Sequence, residues 1–185
     1  MRVALLTSEA MPFAKTGGLA DVSGALPKAL QEQGVDAKLI LPLYDQIDRR
    51  QLNDKIIEGI RVEWRGQVHH IRALQSDVAE APAYLIQAPE FFARPNIYGY
   101  SDDHIRFAFF SRAALALLKH LNWQPDIVHG RLVLLFTLGT LDTSKRLRQG
   151  ASLGKEGLRH RSQIPNGSNQ TPAQSSGFTG LVEWE

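Results

Sequence analysis

The sequence predicts an α/β fold, a parallel sheet with helices on both faces, followed by an irregular tail. Three observations predict it. Val3-Ala4-Leu5-Leu6 is a continuous apolar run, as expected of a central strand buried on both faces. Leu19, Val22, Leu26, Ala29 and Leu30 then recur at helical spacing, Gly34 stands where a helix stops, and Ala37-Lys38-Leu39-Ile40-Leu41 resumes the apolar run. That order is a βαβ unit. Further on, a second long helical pattern leads into Pro125-Asp126-Ile127-Val128-His129, a short buried strand with a histidine at its C-terminal end.

The first helix contains Pro27, which lacks a backbone donor, so the pattern predicts either a kink near Ser23 or a late helix start. Between Ile56 and Gln87 the period changes. Gly59 to Trp64 and Val68 to Leu74 predict a hairpin with a short Arg65-Gly66 turn, and Ala83 to Gln87 adds another strand. Asp102 or Asp103 is placed to cap the next helix, which carries Ile105, Phe109, Ala113 and Leu117 on one stripe and reaches about His120.

The character changes after Gly130, and the domain division expected is 1–130 against 131–185. Leu132 to Phe136 is apolar, and a single strand or helix fits Leu132–Leu141. From Ser144 to Gly180 no period is sustained, which predicts a largely disordered tail. From Arg131 onward seven Lys and Arg stand against four Asp and Glu, whereas residues 1–130 hold 14 basic and 15 acidic residues. The overall charge of +2 therefore sits in the tail, and the patterned part has no basic stripe suited to nucleic acid.

Other classes fall away on composition. Zero cysteines exclude disulfides, thiolate metal sites and a cysteine nucleophile. The N-terminal apolar run is too short to span a membrane, and Glu9 follows too soon for a signal peptide, so the expected setting is cytoplasmic, with no membrane partner. His69 and His70 are adjacent on a strand and point to opposite faces, which argues against a metal site; no cofactor is expected either. Gly150 to Glu156 misses the P-loop spacing, and the triplets at Asn166 and Asn169 match the glycosylation pattern without a secretory context.

The informative segment joins the first strand to the first helix: Ser8-Glu9-Ala10-Met11-Pro12-Phe13-Ala14-Lys15-Thr16-Gly17-Gly18-Leu19-Ala20-Asp21-Val22. Open α/β sheets bind ligands at such a junction. Gly17 and Gly18 let backbone pass close to a ligand, and the helix start offers unpaired N–H groups to an anion. Lys15 adds a formal charge. At an effective dielectric of about 20 a charge pair about 4 Å apart is worth roughly 4 kcal/mol before desolvation, against roughly 0.3–1 kcal/mol for a helix dipole.

Lys-Thr-Gly-Gly-Leu-Ala-Asp-Val, with Ser-Glu-Ala-Met-Pro-Phe before it and Gly-Ala-Leu-Pro after it, resembles the N-terminal signature of bacterial glycogen and starch synthases. The resemblance extends through Leu41-Pro42-Leu43-Tyr44, Arg94-Pro95-Asn96-Ile97-Tyr98 and Arg106-Phe107-Ala108-Phe109-Phe110-Ser111 to Pro125–His129. It implies the N-terminal, donor-side Rossmann-like half of a two-domain glycosyltransferase. Its activity would be retaining transfer of glucose from ADP-glucose, or UDP-glucose, to the non-reducing end of an α-1,4-glucan. Carried over by motif, Lys15, Gly17, Gly18 and Asp21 are donor-binding, Glu9 and Tyr98 lie on the acceptor side, and His129 faces the cleft. No catalytic residue is assigned.

The Tyr98 to Asp103 loop departs from the family pattern, since the family's Asp-Asn is Asp102-Asp103 here. Beyond Gly130 the family's Asp-Trp pair is replaced by Arg131-Leu132-Val133, whose codons can contain Asp-Trp one nucleotide later, as a frameshift would leave them. The resemblance therefore implies a truncated, inactive piece of a synthase. The alternative is a non-catalytic nucleotide-sugar or glucan-binding module.

Overall fold

The computed structural model describes residues 1–53, 55–77 and 81–131, together with the backbone of 178–180. The chain runs β1 (Arg2–Thr7), α1 (Gly18–Glu32), β2 (Asp36–Pro42), a 3-10 turn (Arg49–Gln51), β3 (Ile56–Trp64), β4 (Gln67–Ser76), β5 (Ala83–Gln87), α2 (Pro89–Phe92), α3 (Asp103–His120), β6 (Ile127–Arg131) and β7 (Phe178–Gly180). They build one seven-stranded sheet in the order β3-β4-β5-β2-β1-β6-β7.

The centre of the sheet is parallel and its edges are antiparallel. β1 pairs with β2 on one side and with β6 on the other, and β2 pairs with β5, all parallel. β3, β4 and β5 form an antiparallel meander. The hairpin turn is Arg65-Gly66, with φ of 49° and 78°; two consecutive positive φ values suit the twist of the flanking strands.

Crossing from β1 to β2 moves one way across the sheet, and crossing from β5 to β6 moves the other. Right-handed crossovers in opposite directions place α1 and α3 on opposite faces. α1 packs on β1 and β2, and α3 on β3 and β5. The core between them is continuous, from Leu5, Leu39 and Leu85 on the sheet to Phe92, Phe107, Phe109 and Phe110.

Three local expectations need correction. First, of the two alternatives set by Pro27, the late start is ruled out, because α1 starts at Gly18 and runs through Pro27. Second, the face α1 buries is rotated: Ala20, Ser23 and Pro27 are buried, Leu19, Leu26 and Leu30 are half-buried, and Val22 and Ala29 are exposed. Small residues at the contact let the helix lie close to the strand ends, which an apolar count does not reveal. Third, neither Asp102 nor Asp103 caps α3 through its side chain in the ordinary way. Asp102 is the N-cap, but its carboxylate is taken by Arg94 at 2.6 Å on both oxygens, while Asp103 accepts from the N–H groups of Gly99 and Tyr100 at 2.8 and 3.3 Å.

The expected disorder of the tail, the Leu132–Leu141 element, the near P-loop and the glycosylation triplets fall on 132–177 and 181–185, outside the described residues. Residues 178–180, inside that tail, form β7, antiparallel to β6.

Candidate functional site

The strand order makes the site. The crossover from β1 to β2 and the crossover from β5 into β6 run in opposite directions, so the C-terminal ends of β1 and β6 flank a crevice, the position where open α/β sheets take ligands. Thr7 ends β1 opposite Arg131 of β6, and Leu5 lies opposite His129. A small cleft there includes Thr7, Ser23, His129 and Arg131 in its lining.

The β1–α1 loop folds back on its own helix. The Met11 N–H donates to the Ala20 carbonyl at 3.0 Å, and both Phe13 and Ala14 N–H groups donate to the Ala10 carbonyl. Gly24 makes this possible, since a Cβ there would stand 2.5 Å from the Met11 carbonyl oxygen. By contrast, among the described residues a Cβ at Gly17 or Gly18 would meet nothing within 4 Å. Packing among the described residues therefore does not require those two glycines.

Gly17 is the N-cap of α1 and makes no side-chain cap, so among the described residues no cap bond covers the first-turn N–H groups. Lys15 and Asp21 flank this helix start. Their side chains pair, Nζ to Oδ1 at 2.6 Å and to Oδ2 at 2.8 Å, while remaining about half exposed.

Glu9 sits beneath the same loop, 3% exposed. One of its oxygens, Oε2, accepts from the Thr16 N–H at 2.6 Å and the Gly17 N–H at 3.3 Å; the Thr16 hydroxyl adds bonds of 3.0 Å. Tyr98 donates its hydroxyl to Glu9 Oε1 at 3.0 Å, and Ser8 Oγ lies 2.6 Å from the same phenol oxygen. Burial, foremost, pushes the Tyr98 phenol well above its ordinary range; the Ser8 hydrogen bond opposes the shift and the neighbouring Glu9 carboxylate adds to it. Tyr44, whose hydroxyl donates to the Ser8 carbonyl at 2.8 Å, is raised by burial in the same way.

His129 stands apart from this network, on β6. Arg131 Nε donates to its Nε2 at 3.1 Å, and burial followed by the Arg131 charge lowers its pKa. The structure thus brings Lys15 and Asp21 together, joins Glu9 to Tyr98 and to the glycine loop, and leaves His129 on the neighbouring strand end. His69 points away from this region: its Nδ1 meets Glu90 Oε1 at 2.6 Å and its ring packs on Phe91 and Phe109. Among the described residues no group of three or more His, Asp or Glu side chains could hold a metal ion.

Comparison with known proteins decides what this loop belongs to. Residues 2–131 match the family described as starch synthase catalytic domain. The chain belongs to that family. It is 42% identical over 135 residues to a glycogen synthase of Geotalea daltonii and 45% identical over 133 residues to one of Clostridium perfringens. These alignments cover 70% of the chain and 28% and 27% of the relatives, so the chain spans about a quarter of the curated synthases it matches. Among solved structures it resembles the catalytic domain of starch synthase IV from Arabidopsis thaliana, bound to ADP and acarbose. There the TM-score is 0.63 and the identity 36%, over 69% of this chain and 27% of that one.

The synthase family signature points to Lys15, Gly17, Gly18 and Asp21, but several residues that shape the site were not singled out from it. Thr16, Ser8, Tyr44 and Gly24 act through backbone contacts or a single hydroxyl, with no charge to flag them. Arg106 had a visible signal, a cation within the apolar run Ile105–Phe110, three residues after Asp103.

Proposed function

We propose that residues 1–131 form the donor-side wall of a glycogen or starch synthase site, which transfers glucose from ADP-glucose to the non-reducing end of an α-1,4-glucan. The observation that carries this reading is the placement of Lys15, Gly17 and Gly18. They lie exposed at an uncapped helix start, beside the crevice between β1 and β6. A diphosphate suits that arrangement, because N–H groups and a lysine address the same anion.

Breaking the bond from glucose to ADP requires stabilising a departing diphosphate and a cationic sugar, mainly electrostatic work. Lys15 and the α1 N–H groups would meet the diphosphate, with Asp21 beside the donor. Glu9 and Tyr98 would border the acceptor, and His129 would face the cleft. The Arabidopsis structure, bound to ADP and acarbose, supports a nucleotide and a glucan-like ligand as the two partners. UDP-glucose is the second donor to test. No helix among the described residues is long and apolar enough to cross a membrane. We assign the chain to the cytoplasm on its resemblance to enzymes of stored glucan.

Calorimetry with ADP at low salt tests the reading. Lys15→Ala should weaken binding by about 1–3 kcal/mol, whereas Lys28→Ala, well beyond the loop on α1, should not. Equal affinities for the two variants would count against the phosphate role.

A further inference from the structure

Arg106 is fully buried on α3. Its Nε donates to Asp103 Oδ1 at 2.7 Å and its Nη2 donates to the Ile97 carbonyl, while Nη1 has no hydrogen-bond partner among the described residues. The guanidinium lies 4.5 Å from the Phe107 ring centroid and 5.1 Å from that of Tyr100. A buried, incompletely bonded charge is a poor source of stability, since apolar side chains of similar volume commonly do as well. Its distinct effect here is geometric, because the two groups it grips lie on either side of Tyr98-Gly99-Tyr100.

Asp103 continues the grip by accepting from the Gly99 and Tyr100 N–H groups, and the Arg94–Asp102 pair closes the outer side of the same loop. What the clamped loop presents is the Tyr98 hydroxyl, donating to Glu9 Oε1. Glu9 in turn accepts from Thr16 and Gly17 N–H. Polar contacts, joined through the Tyr98 side chain, thus link the interior of α3 to the glycine loop.

We propose that Arg106 and the Tyr98 hydroxyl are positioning residues for that loop. Arg106 fixes Tyr98, Tyr98 fixes Glu9, and Glu9 fixes the backbone of Thr16 and Gly17, so Lys15 to Gly18 hold one shape before a donor arrives. Adjacent glycines otherwise leave such a segment with wide conformational freedom, and ordering it in advance removes a cost from binding. The consequence for binding rests on the donor-loop reading above; the relay itself does not.

Amide hydrogen exchange followed by NMR on the full 185-residue chain tests it, comparing wild type with Tyr98→Phe, Arg106→Lys and Arg112→Lys. Arg112 is on the same helix but donates to the Glu63 carbonyl. Tyr98→Phe and Arg106→Lys should each speed exchange at Thr16 and Gly17 by about tenfold, equivalent to about 1.4 kcal/mol. Leu39 and Ile40 in β2 should stay slow, and Arg112→Lys should leave all four amides unchanged. If Arg106→Lys fails to fold, Tyr98→Phe decides, since it removes one oxygen.

Unchanged Thr16 and Gly17 exchange in Tyr98→Phe overturns the proposal. So does equal acceleration of the β2 amides, which is what a merely structural role produces. A parallel ADP titration separates the two readings: absent ADP binding with an intact exchange pattern refutes the donor loop alone, and ADP binding with an unaltered exchange pattern refutes the relay alone.

Discussion

Lys15 and Asp21 neutralise each other across the start of α1, their two-point contact measuring 2.6 and 2.8 Å. Each is about half exposed, so the pair is worth only about 0–1 kcal/mol to the fold. A diphosphate arriving at the helix start competes with the Asp21 carboxylate for the Lys15 ammonium. Asp21→Asn should therefore change the unfolding free energy by less than about 1 kcal/mol, read by urea denaturation. A larger loss would mean that the pair is part of the fold's support.

Gly24 and Gly17 should respond differently to the same substitution. Alanine is the better helix former by roughly 0.8–1 kcal/mol, but at Gly24 its Cβ would meet the Met11 backbone oxygen at 2.5 Å. Overpacking against backbone costs about 1–3 kcal/mol, so Gly24→Ala should lower stability in urea. Gly17→Ala and Gly18→Ala, with open space around the new methyl, should be close to neutral for folding and should weaken ADP binding. A stabilised Gly24→Ala would contradict the close approach of loop and helix.

Tyr44, Tyr84 and Tyr98 all have phenols raised above their ordinary pKa, each by burial first. The folded chain then holds these protons at pH values where the unfolded chain has released them. Their contribution to stability is complete below pH about 10, the unfolded value, and is lost as pH rises toward the folded values. Absorbance at 295 nm should accordingly show Tyr44, Tyr84 and Tyr98 ionising late, together with alkaline unfolding. Ordinary titration of these three phenols in a chain that stays folded would refute this.

His129 carries the opposite sign. Burial and Arg131 lower its pKa, so protonation is less favourable in the folded chain than in the unfolded one. Stability from the neutral ring is present above pH about 6.5 and falls away as pH drops through the folded value. His129→Gln should flatten this part of the acid profile, and the wild-type ring resonances should titrate below pH about 6.5. A ring that titrates above that point would contradict both its burial and its contact with Arg131.

Much of this architecture was legible in the sequence. The βαβ unit, the Arg65-Gly66 hairpin, the end of α3 at His120 and the Ile127 strand follow from apolar period and turn chemistry, which are local properties. The buried face of α1 was not legible, because Ala20, Ser23 and Pro27 were chosen by a close backbone approach and not by hydrophobicity. Asp102 and Asp103 looked like interchangeable caps. Arg94 and the Gly99–Tyr100 backbone gave them different tasks, and neither partner can be inferred from helix spacing. In the site, Lys15, Gly17 and Gly18 were readable as anion-binding types, whereas the burial of Glu9 beneath them depends on Tyr98, 89 residues away. β7 lies in a stretch without period, and its pairing with β6 is a long-range contact.

The most direct test of the central claim is a titration of ADP into the isotope-labelled chain, followed residue by residue by NMR. The account predicts that the amides of Lys15, Thr16, Gly17, Gly18 and Leu19 shift together and saturably, while those of the β3–β4 hairpin stay in place. Shifts centred on any other surface, or none up to millimolar ADP, would contradict the assignment of this loop as the donor wall.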